Sequence, residues 1–194
     1  LLNIEKASLT VTAGNKVINE GETLPEITFT YSGFRGTDTP ENSFIGNGPE
    51  YWIMPEFTGA AGTYDIVPFA RSDKYTITEV PGKLYVNPSG NGAKAIRPVL
   101  VCVEVLPAGI SEYTYVAHFR YENRNSTDVF IPIGANNLLV GKGNFSNAGQ
   151  PELFLAGGGT FDVPFDGLKL SWNVTSVETG RKTSIGSDAS STSS

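Results

Sequence analysis

The sequence predicts an all-β protein of two tandem β-sandwich domains joined by a short linker. Val, Ile, Thr, Phe and Tyr dominate the ordered stretches and alternate with polar residues, as the side chains of half-buried strands do. The chain of 194 residues contains 22 glycines and 12 prolines, and no stretch keeps the helical apolar period. Short strands at close, even spacing with Gly/Pro turns are typical of sandwiches and barrels.

The strands of the first half are recognised by apolar residues on alternate positions. Their predicted inward residues are Leu9, Val11, Ala13, Ile27, Phe29, Tyr31, Tyr64, Ile66, Tyr75, Ile77, Leu84 and Val86. A short helical turn is predicted over residues 39–44, because Asp38 or Thr39 can cap it and Pro40 suits the first helical position. Residues 51–57 are predicted to form a short strand that lies at a sheet edge or ends at Pro55.

A run of turn residues without an apolar anchor, NPSGNGAK at residues 87–94, separates the halves. We therefore expect a first domain at 1–87, a flexible linker at 88–97 and a second domain at 98–177. Residues 178–194 are rich in Ser and Thr and have almost nothing to bury, so a flexible tail is expected there. The chain begins without Met or a signal peptide and looks like a fragment of a longer polypeptide.

In the second half, residues 113–136 are predicted to form a hairpin. Its first strand has an aromatic inner face, ENRNSTD at 122–128 is its turn, and the alternation resumes afterwards. Residues 136–151 are predicted to be a loop. The inward residues are Tyr113, Tyr115, Ala117, Phe119, Tyr121, Val129, Ile131, Ile133, Phe161, Val163, Phe165, Leu170, Trp172 and Val174. The most regular strand has Val99, Val101, Val103 and Val105 on one face and a mixed opposite face.

The first half resembles the MBG family of bacterial Ig-like repeats over residues 6–87. The resemblance lies in LTVTAGNK (9–16), ETLPEITFTYSGFRGTDTP (22–40), AGTYDI (61–66) and KYTITEVPGKLYV (74–86). It departs from the pattern where Asn19-Glu20 replaces an aromatic residue and where Gly36-Thr37-Asp38 stands for Gly-Asp-Thr. The resemblance implies an Ig-like sandwich.

The second half resembles a C-terminal β-module common in large bacterial secreted and surface proteins. The resemblance lies in YVAHFRYEN (115–123), VFIPIGANN (129–137), GQPELFLAG (149–157) and FDGLKLSWNV (165–174). Together the two resemblances imply a piece of a multi-domain bacterial protein located outside the cell or at its surface, built as a stalk or adhesin. Its expected partners are the neighbouring domains of the same polypeptide.

Two residues are candidates for catalysis. His118 lies on the outer face of its strand, and Glu104 on a neighbouring strand is the best partner for a general base. Cys102 lies in a Val-rich strand, where a buried thiol behaves as a small hydrophobe. With one histidine and one cysteine in the chain, neither a histidine-based zinc site nor an internal disulfide is expected. We expect no enzymatic activity and no cofactor.

Calcium is the one metal that the sequence leaves open. Asn and Asp oxygens at the ends of β-domain loops can bind Ca²⁺, and the candidate loops are 122–128, with Asn123, Asn125 and Asp128, and 133–137. These are also ordinary turn residues, and the structural interpretation is preferred.

Ligand binding is considered at Tyr51 and Trp52, beside Met54, as an exposed platform for carbohydrate. The formal net charge of −6 disfavours nucleic acid, which needs a basic surface, and no apolar run is long enough for a membrane span. The leading hypothesis is a non-enzymatic structural spacer. The alternatives are a carbohydrate- or surface-binding adhesin module, and an accessory domain of a secreted enzyme, which would expose a large apolar patch.

Overall fold

The computed structural model describes residues 5–109 and 111–193, and the all-β fold class is confirmed. These residues form two compact units with a boundary between Val86 and Asn87. The elements are β1 Ala7–Ala13, β2 Lys16–Asn19, β3 Phe29–Ser32, α1 Pro40–Ser43, β4 Glu50–Met54, β5 Gly62–Phe69, β6 Tyr75–Val80, β7 Gly82–Asn87, β8 Arg97–Val105, β9 Tyr115–Glu122, β10 Val129–Phe130, β11 Asn137–Gly141, β12 Leu153–Phe154, β13 Gly159–Phe165, β14 Leu170–Glu178 and β15 Arg181–Ala189.

In the first unit, two sheets with strand orders β3-β1-β6 and β2-β7-β5-β4 enclose an apolar core. Most of the predicted inward residues are buried. Four of them are fully buried: Leu9, Val11, Ile66 and Leu84. The chain passes from β6 to β7 at Pro81-Gly82, where a Cβ on Gly82 would clash with the Ala13 carbonyl oxygen. Glycine therefore allows the chain to change sheets beside β1.

The short helix and the edge strand of the first unit are confirmed. Helix α1 has Thr39 as its N-cap and Pro40 in its first turn, and the Thr39 N–H donates to Asn42 Oδ1 at 3.0 Å. Strand β4 ends at Met54, before Pro55, and lies at the edge of its sheet. Both results follow from the chemistry of proline. Its fixed φ angle suits the first turn of a helix, and it lacks the N–H that an interior strand position needs.

In the second unit, the sheets β13-β9-β8 and β11-β14-β15 face each other, and β10 pairs with β12. Trp172 on β14 is fully buried against rings from other strands, with centroids 5.7 Å away for Phe119, 5.3 Å for Phe161 and 6.1 Å for Phe154. The predicted inward residues of β13 and β14 are confirmed, since each is at most 5% exposed. An aromatic cluster therefore joins the two sheets.

The predicted hairpin over residues 113–136 is wrong. Both edges of β9 are occupied, by β13 and β8, and Val129–Phe130 pairs with Leu153–Phe154 instead. Asn123 follows β9 directly and is buried, and its amide donates to the carbonyls of Thr127 and Phe154. These bonds hold the chain in a turn that leads away from β9.

The regular alternation predicted for β8 is also wrong. A bulge between Leu100 and Cys102 shifts the register, so that Leu100 and Val103 pack against the core while Val101 is 55% exposed. An extra residue in a strand reverses the faces of all residues that follow it. Cys102 is therefore exposed, not buried as expected.

Three segments predicted to lack regular structure are ordered. The predicted loop 136–151 contains β11, whose Leu139 is buried. The predicted tail 178–194 contains β15, which pairs with β14 along its length. The predicted linker 88–97 contains the buried residues Ala93, Ala95 and Ile96 and belongs to the second unit. Small and hydroxyl-bearing residues pair through their backbone here, which apolar patterning does not reveal.

Candidate functional site

The loop proposed for calcium uses its side chains to fix the backbone. Asn123 is 1% exposed, and its Oδ1 accepts from the backbone N–H and the side-chain amide of Asn125 at 3.0 and 2.8 Å. Asp128 Oδ1 accepts from the Ala156 N–H at 2.8 Å. The loop thus directs these three oxygen-bearing side chains toward the protein.

Asn125 joins this loop to the residues predicted to be a linker. Its Oδ1 accepts from the Lys94 N–H at 2.8 Å, and its Nδ2 donates to the Lys94 carbonyl at 2.7 Å. Asn87 makes the same two-way contact with Phe130, at 2.8 Å in both directions. In each case an amide side chain takes the place of a neighbouring peptide group. Residues 87–94 are therefore fastened to the second unit.

The other candidate calcium loop, 133–137, ends in a buried asparagine. Asn137 is 0% exposed, and its Nδ2 donates to the carbonyls of Ile131 and Pro151. Its Oδ1 accepts from Gln150 Nε2 at 2.8 Å and from Trp172 Nε1 at 3.0 Å. An asparagine side chain offers two donors and two acceptor sites, so Asn137 is fully used inside the core.

His118 is placed between two carboxylates on the outer face of β9. Its Nδ1 lies 2.8 Å from Asp162 Oδ1 on β13, and its Nε2 lies 3.2 Å from Glu104 Oε2 on β8. The predicted partner Glu104 is confirmed, and Asp162 was not identified from the sequence. Hydrogen bonding to Asp162, reinforced by the charges of both carboxylates, raises the pKa of His118 above its usual value against the opposing effect of burial. With both ring nitrogens engaged, the ring is a poor general base.

Cys102 lies directly opposite His118 in the register of β8 and β9. Its thiol is exposed, yet the imidazole nitrogens that would activate it already face Asp162 and Glu104. Among the residues that the structure describes, no group of three or more His, Cys, Asp or Glu side chains is arranged to hold a metal ion.

The predicted platform of Tyr51 and Trp52 is divided between two faces of β4, because neighbouring side chains of a strand point in opposite directions. Tyr51 lies 6.5 Å, centroid to centroid, from Phe29 of the other sheet. Trp52 is 62% exposed on the outer face, and Met54 beside it is 58% exposed. The two aromatic rings therefore cannot contact one flat ligand together.

An open cleft of about 270 Å³ is lined by Glu50, at the start of β4 and two residues before Trp52. In the β4–β5 register, Glu50 is opposite Phe69 and Trp52 is opposite Val67. Glu50 and Phe69 line the cleft together with Asn47 and Arg71. The Arg71 guanidinium lies 5.0 Å from the centre of the Phe69 ring. Only the register of the two strands brings Glu50 and Phe69 together, so residue spacing alone could not reveal them.

The residues that line this cleft come from two parts of the first unit, residues 45–50 and residues 69–71. The Ile45 N–H donates to the Arg71 carbonyl at 2.8 Å, which fastens the 45–49 loop to the end of β5. Gly46 and Gly48 adopt positive φ angles of 88° and 109°, which glycine reaches without strain. The backbone therefore fixes the course of the 45–49 loop at the border of the cleft.

A comparison with known families finds a match in the first unit. Residues 9–85 match the family of the MBG domain (YGX type). The resemblance of the first half is thereby confirmed, and the match includes both sheets of the unit. No curated protein and no solved structure matches the chain significantly.

The MBG match places the cleft and Trp52 within a domain type that occurs in bacterial surface proteins. The asparagine contacts and His118 lie outside residues 9–85, in the second unit. No helix in the described part of the chain is both long and apolar enough to cross a bilayer.

Proposed function

We propose that the chain is a non-enzymatic spacer from a multi-domain protein of the bacterial surface or secretome, where it supports or projects another module as part of a stalk. The observation that carries this proposal is the parallel pairing of β1 with β6, in which Ala7 is opposite Tyr75 and Thr12 is opposite Val80. The MBG match of the first unit supports the bacterial surface or secreted context.

Parallel pairing determines how the first unit bears a load. The chain enters this unit at β1, and β6 leads through Pro81-Gly82 into β7, after which the unit ends. A pull on both ends draws β1 and β6 past each other along their length. The hydrogen bonds between them are then strained together, and they must break together instead of one after another.

The second unit has a related arrangement between its first and last long strands. The Thr179 N–H donates to the Ala93 carbonyl at 3.0 Å, and the Leu100 N–H donates to Ser187 Oγ at 2.8 Å. Both segments advance in the same direction between these contacts, and β8 and β15 are neighbouring edge strands of different sheets. The chain therefore enters and leaves the second unit along neighbouring strands, as in the first.

In this proposal the spacer holds no metal, and Asn123 Oδ1, Asn125 Oδ1 and Asp128 Oδ1 instead accept hydrogen bonds from the protein's own N–H groups. Its melting temperature is expected to be the same in calcium and in EDTA. A melting temperature that rises with calcium would contradict this part of the proposal.

Stretching single molecules by their two ends tests the proposal. A spacer of this kind resists extension and then opens in discrete steps, one for each unit, and refolds when the load is released. Gradual extension at low force, without discrete steps, would contradict the proposed role.

A further inference from the structure

We propose that the cleft beside Trp52 is a binding site for a neutral saccharide, a function beyond that of a spacer. The site consists of Trp52 on the open sheet face and of Glu50, Phe69, Arg71 and Asn47 around the cleft. The first unit would then hold a glycan on its outer face while it transmits load through its strands.

The aromatic part of the site suits the apolar face of a sugar ring. Trp52 is 62% exposed and lies two residues along β4 from Glu50, on the same face. The C–H groups of a pyranose carry small positive partial charges, and the face of an indole ring is negative. A sugar residue that stacks on Trp52 is therefore adjacent to the sugar residue that enters the cleft.

The polar part of the site suits hydroxyl groups. In the described part of the chain, neither Glu50 nor Arg71 forms an ion pair. The Glu50 carboxylate accepts hydrogen bonds, the Arg71 guanidinium donates them, and the Asn47 amide does both. The hydroxyls of a sugar, each a donor and an acceptor, match the hydrogen-bonding types of all three side chains.

Other ligand classes fit this combination less well. An apolar partner would cover Glu50 and Arg71 without hydrogen bonds, and a buried polar group that lacks a partner is costly. An anionic polymer would be repelled by Glu50 and by the net charge of −6. The volume of about 270 Å³ is just below the usual range of about 300–1,000 Å³ for small-molecule pockets, which suits a short segment of a glycan.

Titration of the full chain with short neutral oligosaccharides of glucose, galactose, mannose and N-acetylglucosamine tests this inference. Calorimetry gives the affinity of every variant, and fluorescence reports the site in the chains that keep Trp52, because Trp52 is exposed while the other tryptophan, Trp172, is fully buried. We expect saturable binding of at least one oligosaccharide, and a loss of about tenfold or more in affinity for Trp52→Ala and for Glu50→Gln.

Tyr51→Ala is the matched control, because Tyr51 neighbours Trp52 in sequence but lies on the opposite face of β4. Its melting temperature is measured beside those of the other variants, and its affinity is expected to equal that of the unaltered chain. The inference is overturned if no neutral oligosaccharide binds, if sulfated or sialylated glycans bind in preference, or if Trp52→Ala and Glu50→Gln bind normally. None of these results bears on the spacer proposal, whose test is mechanical.

Discussion

Trp172 Nε1 donates a hydrogen bond to Asn137 Oδ1 at 3.0 Å, and both residues are completely buried. The largest side chain of the core is thus fixed by a polar atom that is itself fixed by Gln150, at 2.8 Å from the same oxygen. Hydrogen-bonded networks of this kind specify one arrangement of a core, because each member is costly to leave without its partners. Asn137 orients the aromatic cluster that joins the two sheets.

Asn137→Ala is expected to destabilise the second unit by about 3 kcal/mol or more, because it removes partners from the buried Trp172 and Gln150 side chains and from two carbonyls. Chemical unfolding followed by tryptophan fluorescence measures the change. Asn136→Ala, at an exposed neighbouring position, is the control and should alter stability little. A loss below about 1 kcal/mol for Asn137→Ala would show that the network is not important for stability.

Thr127 has a buried hydroxyl that finds no hydrogen-bond partner. Thr127→Val replaces this hydroxyl by a methyl group of similar shape, so we expect a gain in unfolding free energy of about 1 kcal/mol. Thr127→Ser, which keeps the hydroxyl and loses the methyl group, should instead destabilise the protein. Equal or lower stability for the valine variant would indicate that the hydroxyl has a partner in solution.

Stability is expected to depend on the protonation of His118. Because Asp162 and then Glu104 raise its folded pKa above the ordinary value of 6.5, the folded state holds the proton more tightly than the unfolded state. The contribution is complete below about pH 6.5 and is lost as the pH rises through the folded pKa. Since the two carboxylates are 61% and 64% exposed, it should not exceed about 1 kcal/mol.

Unfolding free energies measured from about pH 6 to about pH 9, beside a nuclear magnetic resonance titration of the imidazole, check this expectation. Asp162→Asn removes the main cause, so its imidazole should titrate at lower pH than that of the unaltered chain. If the His118 imidazole of the unaltered chain has a pKa at or below the ordinary value, its proposed interaction with Asp162 and Glu104 is refuted.

Removal of the last strand is expected to unfold the second unit. A chain that ends at Glu178 lacks β15, which pairs with β14 from Leu170 opposite Ala189 to Glu178 opposite Arg181. It also loses the Ser187 hydroxyl that accepts from Leu100. Circular dichroism and dispersion of the amide resonances should show loss of cooperative folding, whereas a chain that ends at Ser191 keeps β15 and should stay folded. A cooperative transition in the shorter chain would contradict the role of β15.

The strands that the sequence predicts well are those with one buried apolar face. Phe161, Val163, Leu170 and Trp172 are all buried as predicted, because alternation along a strand follows directly from backbone geometry. The same rule fails for β15, whose sequence RKTSIGSDA offers little to bury; it is held by pairing with β14, which depends on residues far along the chain.

The sites show the same difference between local and distant determinants. Trp52 could be named from its residue type and Glu104 from its neighbouring strand. Phe69 and Asp162 could not be linked to them, because the register of β5 with β4 and of β13 with β9 brings each into place. The sequence of a loop does not show whether its asparagines bind an ion or a peptide group. The partner of Asn125 is Lys94, which lies 31 positions away along the chain.

Pulling in two different directions shows whether the parallel strands β1 and β6 bear the load. Handles at the two ends of the chain load β1 against β6 along their length, while handles on cysteines introduced at Glu5 and Asp73, in a Cys102→Ser background, peel the two strands apart from one end. Both positions are exposed and precede by two residues the paired Ala7 and Tyr75. The first unit, identified by its extension, is expected to open at a clearly higher force when pulled by the chain ends. Equal forces in the two directions would contradict a load-bearing role for the parallel strands.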